Sequence, residues 1–102
     1  MNRYSVNGSL TAMEGKRDEL LGYLLKAAEE MEQVPDCYCY IVGVDPEDQN
    51  KVYVFEVWES AQAHLASLEL EVFKELIRQA KPIIVGMDSY PSLSIRGGKA
   101  QF

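Results

Sequence analysis

Two helix-periodic stretches, each following a strand-like segment, and two alternating segments joined by the turn-rich DPEDQN predict an α+β fold. The inferred order is strand, helix, strand, strand, helix, strand (βαββαβ), the split βαβ or ferredoxin-like arrangement with a four-stranded antiparallel sheet. At 102 residues the chain supports one domain, 1–102, with a single core.

The first strand, RYSVNGSLTA at 3–12, alternates: Val6, Leu10 and Ala12 fall on one face and Asn7, Ser9 and Thr11 on the other. From Glu14 to Gln33 the period becomes helical, with Leu20, Leu21, Leu24, Leu25, Ala28 and Met31 on the apolar stripe until Pro35 stops the helix. Residues 37–44, CYCYIVGV, form the second strand and pair with KVYVFEVWE as a hairpin. Ser60 is placed to cap a short helix carrying His64, and Ser67 to cap the next, lined by Leu70, Phe73, Leu76, Ile77 and Ala80. Lys81 and Pro82 end that helix, and a last strand is expected through Tyr90, Leu93 and Ile95.

The third strand is apolar on both faces: Val52, Val54 and Trp58, with Glu56, on one, and Tyr53, Phe55 and Val57 on the other. Two helices cover one face of such a sheet, so a second copy packed sheet on sheet is the expected cover for the other. A formal net charge of −6 argues against a phosphate-backbone partner, and neither a signal peptide nor a membrane-spanning run is visible, which points to a cytoplasmic protein. Cys37 and Cys39, two apart on one strand, are expected to share a face as free thiols, and one histidine with two cysteines makes no metal site. Gly97, Gly98 and Lys99 lack the strand-to-helix context of a phosphate loop.

Candidate chemistry gathers between residues 52 and 64, VYVFEVWESAQAH. His64, the only histidine, is placed in the first turn of its helix, where the helix dipole favours a neutral imidazole able to accept a phenolic proton. Trp58 offers one directed N–H to an otherwise apolar wall. Glu56, mid-strand, is read three ways: orienting His64, acting as the base, or bonded structurally to the first strand or to Arg96. Asn7, Tyr38, Tyr40 and Tyr53 are further candidates for touching a ligand, and Val54 and Phe73 for lining its pocket.

The segments EGKRDELLGYLL, DPEDQNKVYVFEVWES, AHLASLELEVFKELIRQAKPIIVGM and the late GGK together resemble the antibiotic biosynthesis monooxygenase domain over nearly the whole chain. The resemblance implies a homodimer whose sheets form a dimeric α+β barrel, and a cofactor-free monooxygenase acting on a small phenol or quinol. His64, Trp58 and Glu56 would be its catalytic residues. Two other readings stand beside it: a non-enzymatic dimer binding a small aromatic, and isomerase-type processing of a small signalling metabolite. The haem-degrading relatives carry a ligand histidine where this chain has Leu76 and Ile77, and a tryptophan near the place of His64, so haem cleavage is disfavoured. Where many relatives have S-P-H-F after the helix break this chain reads SLELEVF, so a second histidine is missing.

Overall fold

A computed structural model describes residues 3–100. Its order is β1 (Arg3–Ala12), α1 (Arg17–Glu30), β2 (Cys37–Gly43), β3 (Lys51–Trp58), α2 (Ala61–Ser67), α3 (Glu71–Ala80), β4 (Ile84–Ser89) and a two-residue β5 (Ser94–Ile95). The sheet runs β2-β3-β1-β4 with β5 also on β1, and every pairing is antiparallel. This is the ferredoxin-like architecture the sequence implies. No helix among the described residues is long and apolar enough to cross a membrane.

Register confirms the two faces of the central strands. Val6 opposes Glu56 and Leu10 opposes Val52 toward the helices, whereas Asn7 opposes Phe55 and Ser9 opposes Tyr53 on the far side. Ala12, Leu20, Val52, Ala80 and Ile83 form the buried core between sheet and helices. Ile41 and Phe55, direct partners on the far face, are exposed, but Val57 on that face is already buried within one chain.

Several elements differ from expectation, each for a local reason. Helix α1 starts at Arg17 rather than Glu14, because a turn through Gly15 (φ 81°) precedes it and Lys16 N–H is bonded to Met13 C=O at 2.9 Å. Leu25 is 51% exposed: it stands five residues from the fully buried Leu20, off the stripe that Leu24, Ala27 and Met31 continue. Beyond a short 3₁₀ turn, Val34 is extended, as its position before Pro35 requires.

A register shift between Cys37 and Cys39 sets Cys37 opposite Trp58 and Cys39 opposite Val57. Neighbours on β3 face opposite ways, so the two free thiols lie on opposite faces rather than sharing one. Ser67 does not cap α3. It ends α2, where its hydroxyl donates to His64 C=O at 2.6 Å, and the N–H groups it would have capped, Glu69 and Leu70, are bonded to Ala66 and Ser67 carbonyls. The last long strand comes earlier than expected, at Ile84–Ser89. Pro91, lacking an N–H, interrupts the ladder until Ser94 and Ile95 rejoin β1.

At Gly8, β1 passes so close to β4 that an added Cβ would stand 2.6 Å from the Asp88 carbonyl oxygen. Because the obstacle is backbone, Gly8→Ala should destabilise the fold by about 1–3 kcal/mol, read as a lower urea midpoint with an unchanged m-value.

Candidate functional site

Strand pleat and a helix cap assemble the site. Val54, Glu56 and Trp58 alternate onto the helix-covered face of β3. Immediately after Trp58 the chain turns, with Glu59 N–H bonded to Asp36 C=O at 2.9 Å, and Ser60 Oγ accepts the Ala63 N–H at 3.1 Å to start α2. The helix thereby returns His64 over Glu56, its Nε2 3.9 Å from Oε1.

Beneath them lies a cavity of about 220 Å³ between the sheet and the three helices. The strands supply Val6, Gly8, Leu10, Val54, Glu56 and Tyr40; α1 supplies Leu20, Tyr23 and Leu24; α2 supplies His64; α3 supplies Phe73, Leu76 and Ile77. Its walls contain no lysine or arginine among the described residues. Of the residues read from sequence, His64, Glu56, Tyr40, Val54 and Phe73 meet here. Asn7 also borders the cavity, yet its register partner is Phe55, on the opposite face from His64.

Others lie elsewhere. Tyr38 stands outside the cavity, its hydroxyl donating to the Glu59 carboxylate and its ring under the Arg3 guanidinium at 3.7 Å. Tyr53 is on the far face. Trp58 does not line the cavity either: 1% exposed, it lies behind Glu56 and donates its indole N–H to Glu56 Oε1 at 2.8 Å. Its ring meets His64 edge-on, centroids 5.7 Å apart. Glu56 therefore takes neither β1 nor Arg96 as its partner. Tyr23, Leu24 and Leu20 went unnoticed as wall residues, although their i, i+3, i+4 spacing on α1 already aimed them at the sheet.

Burial dominates the electrostatics. It pushes the Glu56 carboxyl up to about 7, against the pull of the Trp58 N–H, which favours the anion. Burial also lowers the His64 imidazole below its usual value. The helix dipole is not the cause, because His64 is the fourth residue of a seven-residue helix and belongs equally to its last turn. At 3.9 Å the two groups are too far apart for a hydrogen bond. Near neutral pH the site thus holds a half-ionised carboxyl beside a neutral imidazole, both able to take a proton. Among the described residues no cluster of three histidine, cysteine or acidic side chains is placed to hold a metal.

Comparison with known proteins agrees with this fold. The family model for antibiotic biosynthesis monooxygenases matches residues 3–79. The chain belongs to this family. A crystal structure of a candidate antibiotic biosynthesis monooxygenase from Chloroflexus aurantiacus is 32% identical, covers 96% of this chain and 97% of its own, and superposes with a TM-score of 0.86. A further candidate family member from Caulobacter crescentus is 18% identical with a TM-score of 0.82, covering 94% of this chain and 92% of its own. SnoaB, a cofactor-independent oxygenase from Streptomyces nogalater, shares the fold at 12% identity, with a TM-score of 0.80 over 99% of this chain and 100% of its own. No protein with a curated description matches the sequence.

The raised Glu56 acidity has a thermodynamic signature. The folded carboxyl at about 7 lies above its ordinary 4.5, so the folded state holds its proton more tightly than the unfolded chain. The associated stability is fully present below pH 4.5 and is lost as pH rises through about 7, amounting to about 3 kcal/mol. Glu56→Gln keeps an acceptor for Trp58 and removes the charge. It should therefore be more stable than wild type at pH 8 by up to about 3 kcal/mol, with the difference closing at pH 4 to 5, as read by chemical denaturation at both pH values.

Proposed function

We propose that the protein is a cofactor-independent monooxygenase that oxidises a small, uncharged phenol or quinol with dioxygen. The observation that carries the reading is the Glu56 carboxyl, poised near neutrality on the wall of an apolar cavity and backed by a neutral imidazole. A cavity of about 220 Å³ is below the roughly 300–1,000 Å³ typical of drug-sized ligands, which suits one or two rings. Its lack of lysine and arginine, with Glu56 inside, disfavours carboxylated or phosphorylated substrates.

In this chemistry the substrate is the reductant. Glu56 takes a phenolic proton, the phenolate passes electrons to dioxygen, and a carbon–oxygen bond forms on the ring. Glu56 then returns its proton to the outer oxygen as the O–O bond breaks, while His64 takes the proton lost from the ring carbon and passes it to the departing hydroxide. A hydroquinone and dioxygen thereby give a hydroxyquinone and water, the four electrons lost by the ring reducing one oxygen to the new hydroxyl and the other to water. The apolar walls keep solvent protons from diverting the intermediate.

Oxygen uptake over a panel of hydroquinones and naphthoquinols, corrected for autoxidation, tests this directly. Catalysed uptake should rise with pH through about 7 as Glu56 ionises, and fall about 10²-fold or more in Glu56→Gln. Uptake at background for every quinol that binds would defeat the monooxygenase reading. Binding alone would then indicate a carrier of small aromatics, whereas turnover without oxygen would indicate an isomerase using the same proton acceptors.

We further propose that the active form is a homodimer joined through the far sheet faces. The exposed Ile41–Phe55 pair supports it, since apolar partners in mid-sheet favour cover by a second sheet. Sedimentation at micromolar concentration should give a dimer for wild type and a monomer for Ile41→Lys; a wild-type monomer would refute the interface.

A further inference from the structure

We propose that Trp58 is a positioning residue: by donating its indole N–H to one oxygen of Glu56 it aims the carboxylate into the cavity and stabilises it as the anion that accepts the substrate proton. The geometry is specific. Trp58 and Glu56 are two apart on one strand face, the bond from Nε1 to Oε1 is 2.8 Å, and the indole is 1% exposed, so water does not compete for it. The same Oε1 is the oxygen nearer His64, while Oε2 has no hydrogen bond within the described residues and is left for a substrate hydroxyl.

The surroundings leave this role to Trp58. From β2 the carboxyl is faced by Tyr40 and Cys37, with Cys39 on the opposite face but within reach of its charge; all three are weak acids raised chiefly by burial, with the Glu56 charge a smaller cause. From α2 comes His64, neutral because it is buried. Across the cavity α1 presents Tyr23, whose hydroxyl donates to Glu19 instead, α3 presents apolar side chains, and β1 and β4 bring Asn7, Ser9, Asp88 and Ser89 to its edge. With no cation among them, the indole N–H is the one partner among the described residues that favours the ionised carboxyl. Without it, burial alone would govern and the carboxyl would stay protonated at neutral pH.

The acid–base half of this inference does not depend on the reaction, while its catalytic half rests on the quinol-oxidation reading. The test is Trp58→Phe, which keeps an aromatic ring and removes the donor. With glutamate labelled in its side-chain carboxyl, Glu56 should titrate about one to two pH units higher by NMR in the variant than in wild type. Where quinol oxidation is present, the midpoint of the pH–rate profile should move alkaline in step, with about tenfold or greater loss at pH 7 and recovery of rate at high pH. A purely structural tryptophan would lower the rate equally at all pH values. An unshifted Glu56 titration in folded Trp58→Phe would overturn the proposal; a shifted titration without oxygen uptake by wild type would uphold it and defeat the oxidation reading alone.

Should Trp58→Phe not fold, the sole tryptophan serves as its own reporter. Wild-type fluorescence should then show a step near pH 7 that Glu56→Gln abolishes, and a step that persists in Glu56→Gln overturns the proposal.

Discussion

Everything in the site follows from placing a carboxyl group on the buried face of β3. Glu56 sits in a row with Val52, Val54 and Trp58, and the alternation that makes the strand a good core element gives the carboxyl no way back to solvent. Such a group must find a partner or keep its proton. Here it does part of each: one N–H from the same strand and no cation among the described residues, so its acidity settles between that of an exposed glutamate and that of an isolated buried one. Loss of the strand register, the cap at Ser60 or the N–H of Trp58 would each change that balance, by moving the carboxyl, the imidazole or the bond between carboxyl and indole.

The neighbouring architecture serves this placement. Gly8 lets β4 come within backbone contact of β1 at the cavity edge, closing a gap that any larger residue would hold open. The bond between Ser67 and the His64 carbonyl ends α2 after two turns, so the helix presents its histidine to the sheet and the chain then leaves for α3. The cavity is thus the space between a sheet of close-packed strands and helices whose starting points are fixed by turns on either side.

Much of this was legible in the sequence where periodicity carries the information. Alternation assigned Val6, Leu10, Val54 and Glu56 to the correct faces, and element order gave the sheet topology, because a helix-covered antiparallel sheet admits few arrangements. What escaped was set by single hydrogen bonds and by register. Ser67 looks like a cap until the preceding turn is seen to hold the N–H groups it would bind. Cys37 and Cys39 share a face in any regular strand, and only the shift against β3 separates them. The same limit applied to Trp58: the strand pattern placed it on the right face, but whether its N–H meets a ligand or a carboxylate depends on side-chain torsions that no spacing encodes.

That last distinction bears on how one fold serves several chemistries. An indole N–H directed into a cavity acts on the substrate, whereas the same N–H directed at a carboxylate acts on the base, and the two alternatives require no change in backbone. On the proposed reading, the second arrangement offsets a sparse acid–base set, with one histidine and no second one after the helix break. A lone imidazole lowered by burial is a weak proton acceptor, and a lone carboxyl raised without limit would be protonated throughout the neutral range. Setting Trp58 against Glu56 corrects the second problem without introducing a cation, which would have drawn the carboxyl back to ordinary acidity and weakened it as a base.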